Sequence, residues 1–119
     1  MQVVKHSDVE PVSPYPGVVR KLTVHKGNGA GGITAGVVHI APGGMIKPHT
    51  HLVEEAMTLI EGRVLGLVGT ETTVIEAGSS WLAPANTVHG AKNIGETQAT
   101  LVIAYPSVEV GATLVDVEF

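Results

Sequence analysis

The chain has 119 residues and a mass of 12.3 kDa, which fits one domain, and its hydrophobic content of 44% is too high for a disordered chain. It has no cysteine, which excludes disulfides, thiolate metal sites and a cysteine nucleophile. The net charge of −4, with seven scattered basic residues, argues against a nucleic-acid partner. No apolar run reaches the roughly 18 residues of a membrane helix, and no secretory signal is visible, so we expect no membrane contact and a cytoplasmic location.

The composition favours β-structure. Valine, isoleucine and threonine number 19, 7 and 11, so β-branched residues make up nearly a third of the chain. Their restricted χ1 angles suit a pleated sheet better than a helix. No stretch of ten or more residues shows a convincing helical period, and 15 glycines and seven prolines punctuate the apolar runs as turns.

The predicted elements form an arm followed by a single domain. Residues 1–17 contain several prolines and are predicted to form an extended arm, and residues 18–119 a β-barrel domain. Strands are predicted, in chain order, over Val18–Val24, Ile33–Ile40, Met45–His51, Ala56–Ile60, Arg63–Val68, Thr72–Ile75, Ser80–Ala83, Val88–Lys92, Gln98–Tyr105 and Thr113–Val117. Many short strands at near-regular spacing indicate an antiparallel sandwich or barrel.

One glycine-rich segment, Gly27–Gly32, invites comparison with a phosphate-binding loop. Such a loop is followed by a Lys-Ser/Thr pair and a helix whose amide groups point at phosphate. A β-branched strand follows here instead. We therefore interpret the segment as a flexible hairpin connection.

Candidate metal ligands cluster at and just beyond the end of the third predicted strand. His49 and His51 are two residues apart, so in a strand they face the same side. Glu55 is an even number of residues from both, so it would face that side as well. Three polar groups on an inner face are costly to desolvate unless something pairs them. Two imidazoles and a carboxylate suit a divalent first-row metal, and His89, at the start of a later strand, is a fourth candidate.

Two spacings in the chain resemble the two motifs of the cupin superfamily. The first is Gly43-x5-His49-x-His51-x3-Glu55-x6-Gly62. The second is Gly78-x5-Pro84-x-Asn86-x2-His89-x3-Asn93, and 15 residues separate the two. Asn86 stands where the family usually has glycine, and asparagine is a non-glycine residue that tolerates the left-handed backbone that such a turn needs.

The resemblance implies an antiparallel jelly-roll β-barrel with His49, His51, Glu55 and His89 as metal ligands. It implies one divalent transition metal per chain, and such ligands do not distinguish among Mn, Fe, Co, Ni, Cu and Zn. Small cupins are commonly dimers, so a homodimer is expected. The arm could reach across to the partner or lie along its own barrel.

Four further residues are candidates for a substrate pocket. Met57 shares the parity of Glu55, and Trp81 and Tyr105 are large aromatic residues near the presumed barrel wall. His39 lies on the strand before the first motif and could project into the barrel. For each of the four, a packing or sheet-ladder role is the alternative.

Four protein ligands leave one or two positions open on a five- or six-coordinate metal, as in a catalytic site. The few aromatic residues favour a small substrate, and the lack of clustered Arg or Lys argues against a phosphorylated sugar. We therefore expect dioxygenase or enolate-type chemistry on a small organic acid or diketone. The alternatives are a redox-silent isomerase, lyase or decarboxylase acting on a sugar-like acid, and a non-catalytic ligand-binding or sensor protein.

Overall fold

The computed structural model describes all residues, 1–119, and contains eleven β-strands. In chain order they are β1 (Val12–Tyr15), β2 (Val18–Val24), β3 (Thr34–Ile40), β4 (Met45–Thr50), β5 (Glu55–Glu61), β6 (Arg63–Val68), β7 (Glu71–Glu76), β8 (Ser79–Ala83), β9 (His89–Asn93), β10 (Ala99–Tyr105) and β11 (Thr113–Leu114). The helices are single 3₁₀ turns at His6–Asp8 and Lys26–Asn28. Neither has the length or apolar character needed to traverse a bilayer.

The strands form two antiparallel sheets. The six-stranded sheet has the order β1-β2-β3-β10-β5-β8, and the five-stranded sheet has the order β11-β4-β9-β6-β7. The predicted all-β, antiparallel jelly-roll barrel is confirmed. Each of the ten predicted strands coincides with an observed one, with ends differing by a few residues. β1 was not predicted: it lies within residues 1–17 and pairs with β2 of the same chain.

The core lies between the inner faces of the two sheets. Residues alternate inward and outward along the strands, as a pleated sheet requires, and Met57 and Leu59 on β5 face Leu101 and Ile103 on β10 across one ladder. The largest fully buried side chains are Val18, Ile40, Leu59, Val64 and Leu101. At one end of the barrel, polar side chains replace this apolar set.

Two turns that carry the motifs require a left-handed backbone. Gly62, between β5 and β6, has φ +87°, and a Cβ there would lie 2.8 Å from the Ala99 Cα. Asn86, between β8 and β9, has φ 56° and is the one non-glycine residue with positive φ. Its expected tolerance of this conformation is confirmed. The Asn86 N–H donates to the His51 carbonyl at 2.8 Å, which ties the turn before β9 to the end of β4.

Candidate metal centre

The three histidines come together because β4 and β9 are neighbours in the five-stranded sheet. His49 lies opposite His89 in the register of these strands. His51 follows the last residue of β4, and the turn at Asn86 holds its backbone. The ring centroids of the three imidazoles are 4.3 to 5.2 Å apart. Strand pairing therefore places side chains 40 positions apart in the sequence side by side.

Glu55 reaches the same point from the opposite wall of the barrel. The sequence predicted that it would share a face with His49 along a strand or gentle bend. Instead β4 ends at Thr50, and the chain crosses to the six-stranded sheet, where Glu55 opens β5. The Leu52 N–H donates to the Val110 carbonyl in this crossing, which turns the backbone away from the β4 ladder. Glu55 lies on the inward face of β5, so its carboxylate points at the histidines.

The four side chains form one compact cluster. Their candidate ligand atoms all lie within 4.8 Å of one another. The Nε2 atoms of His49 and His51 are 3.0 Å apart, and the Glu55 Oε1 lies 2.8 Å from His89 Nε2 and 3.4 Å from His51 Nε2. All four side chains are buried, with at most 7% of their surface exposed. The structure therefore brings the four predicted ligands together.

The orientation of each imidazole is set by a backbone carbonyl on its far side. His49 Nδ1 donates to the Lys47 carbonyl at 2.7 Å, His89 Nδ1 donates to the Thr87 carbonyl at 2.9 Å, and His51 Nδ1 donates to the Gly111 carbonyl. This bonding assigns the Nδ1–H tautomer and leaves the Nε2 lone pairs facing inward.

Inward-facing lone pairs are the observation that fits a metal. The Nε2 atoms of His49 and His51 are 3.0 Å apart. When both rings are neutral, two hydrogen-bond acceptors face each other, which is unfavourable unless a proton or a cation lies between them. A carboxylate oxygen completes the group on the opposite side. Three nitrogens and one oxygen at this spacing suit a divalent first-row metal ion.

The electrostatics of the metal-free cluster favour the metal-binding forms of His49 and Glu55 but the protonated form of His51. Burial lowers the pKa of His49 from 6.5 to about 4, so this ring is neutral near pH 7. Burial alone would raise the Glu55 pKa, but hydrogen bonds with His51 and His89 outweigh it and lower the pKa to about 2. Burial likewise opposes protonation of His51, but hydrogen bonds with Glu55 and Gly111 outweigh it and raise its pKa.

These shifts predict how acid releases the metal. A proton on His51 competes with the metal already near pH 6.5, because its pKa is raised, whereas His49 joins the competition only near pH 4. We expect the apparent metal affinity to fall by at least about tenfold per pH unit between pH 6.5 and 5, one proton being displaced per ion. Competition with a chelator at several pH values measures the slope. A pH-independent affinity in that range would contradict the assignment.

A cavity of about 80 Å³ adjoins the four ligands. Apolar side chains from both sheets make up most of its wall, and Met57 and Tyr105 are among them. The Tyr105 hydroxyl lies 3.5 Å from His51 Nε2. Burial and the nearby Glu55 charge raise the Tyr105 pKa, so the phenol stays protonated and can donate a hydrogen bond.

The other two pocket candidates do not border this cavity. His39 alternates with the buried Val38 and Ile40 on β3, so it lies on the outer face, where its Nδ1 is 3.1 Å from the Thr100 hydroxyl. Trp81 packs against the core but lines a groove between β7 and β8. β8 is an edge strand, so the indole is turned toward the gap between the sheets and away from the ligands.

Arg20 borders the cavity, and the sequence interpretation did not single it out. It lies on β2 two residues after the buried Val18, on the same inward face, whereas Lys21 faces outward. The sequence did contain a sign of this position. Arg20 is two residues from both Val18 and Leu22, so the three side chains face the same side of the predicted strand, and a charged residue on an inward face is uncommon.

The geometry defines a class of protein: a small β-barrel with a buried metal site of three histidines and one glutamate beside a cavity. Residues 36–105, more than half of the chain, match the family model described as a cupin domain. The chain therefore belongs to the cupin family, and all four candidate ligands lie within the matched residues.

Named relatives share the domain but are longer. Germin-like protein 3-5 of Oryza sativa subsp. japonica is 32% identical over 93 residues, covering 71% of this chain and 41% of that protein. Oxalate oxidase 2 of Hordeum vulgare is 29% identical over 114 residues, covering 87% of this chain and 51% of that protein. The chain thus spans about half the length of the curated relatives it matches.

The solved structure of the polyketide cyclase RemF from Streptomyces resistomycificus superimposes with a TM-score of 0.82. The match covers 99% of this chain and 87% of that one, at 20% sequence identity. Similarity at this level of identity concerns the fold alone.

Proposed function

We propose that this chain is a metal-dependent oxidoreductase that carries out oxygen or enolate-type chemistry on a small organic acid. The observation that carries the proposal is the position of the four ligands in the wall of a cavity. All four line this cavity, which extends beyond them between apolar side chains of both sheets. Open coordination positions facing a cavity are typical of catalytic rather than structural metal sites.

The size of the cavity supports a small substrate. At about 80 Å³ it is smaller than the roughly 150 Å³ cavity that holds a benzene molecule in a protein core. A sugar ring does not fit without movement of the wall, whereas an acid of two to four carbons is smaller than such a ring. This favours a small acid over a sugar-like acid.

The chain's own residues can position a substrate and hold a proton. The bound ion would supply Lewis acidity and, for Mn or Fe, a change of oxidation state. His49, His51, Glu55 and His89 would hold it. Tyr105 keeps a proton on its Oη and lies beside the ligands, so it can donate to an oxygen of the substrate once the His51 lone pair is engaged. Met57 and the other apolar wall residues exclude water.

Similarity to a named enzyme adds support. Oxalate oxidase 2 of Hordeum vulgare is, by its name, an oxidase of a two-carbon acid, and it aligns with 87% of this chain. The match covers half of that protein, so its activity extends to this chain only as part of the proposal.

Oxygen consumption tests the proposal. The full chain is loaded with Fe(II), Mn(II) or Zn(II), and oxygen is followed with oxalate, glycolate, pyruvate and acetylacetone as probes. We expect acid-dependent uptake with Fe(II) or Mn(II) and none with Zn(II), because zinc has no redox chemistry. A Tyr105→Phe variant should keep its metal but lose about a hundredfold in kcat, the usual scale for a positioned proton donor.

Other outcomes overturn the proposal in distinguishable ways. Turnover of a uronic acid by the Zn(II) form, without oxygen uptake, would indicate an isomerase or lyase. Tight binding of an acid by every metal form, without turnover, would indicate a ligand-binding or sensor protein.

The homodimer and the cytoplasmic location stay predictions. The outer face of the six-stranded sheet carries exposed apolar side chains that a second copy could cover, namely Ile60, Leu82 and Val102.

A further inference from the structure

Arg20 is a half-buried cation that lies beside the metal-ligand cluster. Its side chain borders the cavity that the four ligands line. Its Nε atom is buried and has no hydrogen-bond partner. Guanidinium groups keep their charge in proteins, so the group is a fixed positive charge in this wall. A donor that is buried without a partner destabilises the folded chain.

The chain provides no carboxylate for Arg20. The ion pairs between side chains are Lys26–Glu109 and Arg63–Glu76 on the surface, and those of Glu55 with His51 and His89. Glu55 is the one acidic residue that lines the cavity, and it is engaged by these histidines. Arg20 also borders an open surface pocket with Asp8 and Glu10, but it forms an ion pair with neither. Its buried Nε is therefore a donor without an acceptor in the chain.

The charge of the cavity indicates what the acceptor is. With a divalent ion bound, the ion, the Glu55 carboxylate and the Arg20 guanidinium leave the cavity two positive charges in excess. A neutral diketone would leave this excess unchanged, whereas a carboxylate offsets one of the two charges. A guanidinium also matches the planar fork of a carboxylate better than any other side chain does.

We propose that Arg20 binds the carboxylate of the substrate, so that the site selects two- to four-carbon acids that carry a second oxygen donor next to the carboxylate. This inference rests on the proposed function, because the second donor occupies an open position on the metal. Arg20 lies on β2 in the six-stranded sheet, and His49 and His89 lie in the five-stranded sheet. The substrate is held between the two walls, its carboxylate on Arg20 and its second oxygen on the metal side.

Binding of a matched pair of probes to the Co(II)-loaded full chain tests the assignment. Glycolate carries the carboxylate, and glycolamide is its neutral counterpart of nearly equal size. Each is titrated while the visible absorption bands of Co(II) are recorded, which reports occupancy of the metal without requiring turnover. Arg20→Gln should weaken glycolate about tenfold to a hundredfold, the scale of a charged hydrogen bond, and leave glycolamide within about twofold.

Two further variants separate this role from a structural one. Lys21→Gln removes the same charge from the neighbouring, outward-facing position of β2 and should leave both affinities unchanged. Arg20→Lys keeps the charge but loses the fork, so it should weaken glycolate by less than Arg20→Gln does. It also keeps the assignment testable if the glutamine variant does not fold.

The outcomes distinguish a failure of the proposed function from a failure of the role assigned to Arg20. If the wild-type chain takes up no Co(II), the proposed function fails, and the Arg20 assignment fails with it. If Co(II) binds but glycolate has the same affinity for wild type, Arg20→Gln and Arg20→Lys, only the assignment of Arg20 is overturned. Equal losses for glycolate and glycolamide would show that Arg20 shapes the cavity and does not bind the carboxylate.

Discussion

Replacing His51 with alanine is expected to leave the purified protein with almost no bound metal, whereas the wild-type chain carries about one transition-metal ion. His51 Nε2 lies 3.0 Å from His49 Nε2 and 3.4 Å from the Glu55 carboxylate, so its loss opens the centre of the ligand group. Losing a hydrogen-bond partner of a ligand already costs about 10- to 100-fold in metal affinity. Losing the ligand itself should cost at least about a hundredfold.

Elemental analysis of protein purified without an affinity tag measures this effect, and His25→Ala is the matched control. His25 is half-buried and caps the 3₁₀ turn Lys26–Asn28, where its Nδ1 accepts from the Gly27 N–H. It is outside the ligand cluster, so its replacement should leave the metal content unchanged. Equal metal content in wild type and His51→Ala would contradict the proposed centre, and an equal loss in both variants would point to general destabilisation.

Replacing Leu59 with alanine is expected to lower the free energy of unfolding by about 2–5 kcal/mol. Leu59 has no exposed surface and lies on the inner face of β5, paired with Leu101 of β10. The truncation removes buried methyl groups and leaves a cavity, since the two packed sheets cannot close fully around the gap. The loss is a large fraction of the total stability of a domain of this size.

Urea unfolding of the metal-free protein measures this change, because a bound ion would add its own stabilisation by mass action. Leu82→Ala is the matched control on the neighbouring strand of the same sheet. Leu82 is 51% exposed, so its truncation should change the unfolding free energy by no more than about 0.5 kcal/mol. Similar losses in both variants would show that the inner face of β5 is not the core described above.

Much of the fold could be predicted from local features of the chain. Strand positions follow from β-branched alternation between turns, a pattern that acts over a few residues. The turn at Glu61-Gly62 follows from a glycine between two apolar runs, and Gly62 has φ +87°. Asn86 was expected to accept a left-handed backbone, and it has φ 56°. β1 was missed because its prolines suggest an extended arm and its pairing with β2 depends on tertiary contact.

The cavity was less predictable, because strand parity says which wall a residue faces but not its level along the barrel. Tyr105 and Met57 reach the cavity, whereas Trp81, at a position paired with Met57, faces a groove at the sheet edge. Arg20 is a further example of this limit of strand alternation. The sequence interpretation did not single it out, because its inward position acquires meaning only beside the ligand cluster.

Short local patterns of residue types suffice to predict the strands, the turns and an antiparallel sandwich or barrel. The jelly roll and the set of four candidate ligands follow from the resemblance of two motifs to those of the cupin superfamily. Three features of the site became apparent from the packing of the two sheets: Glu55 faces the histidines from the opposite sheet, the Gly111 carbonyl orients His51, and Arg20 shares their cavity. These contacts join strands distant in the sequence, and they depend on how two twisted sheets close on each other, which no local pattern encodes.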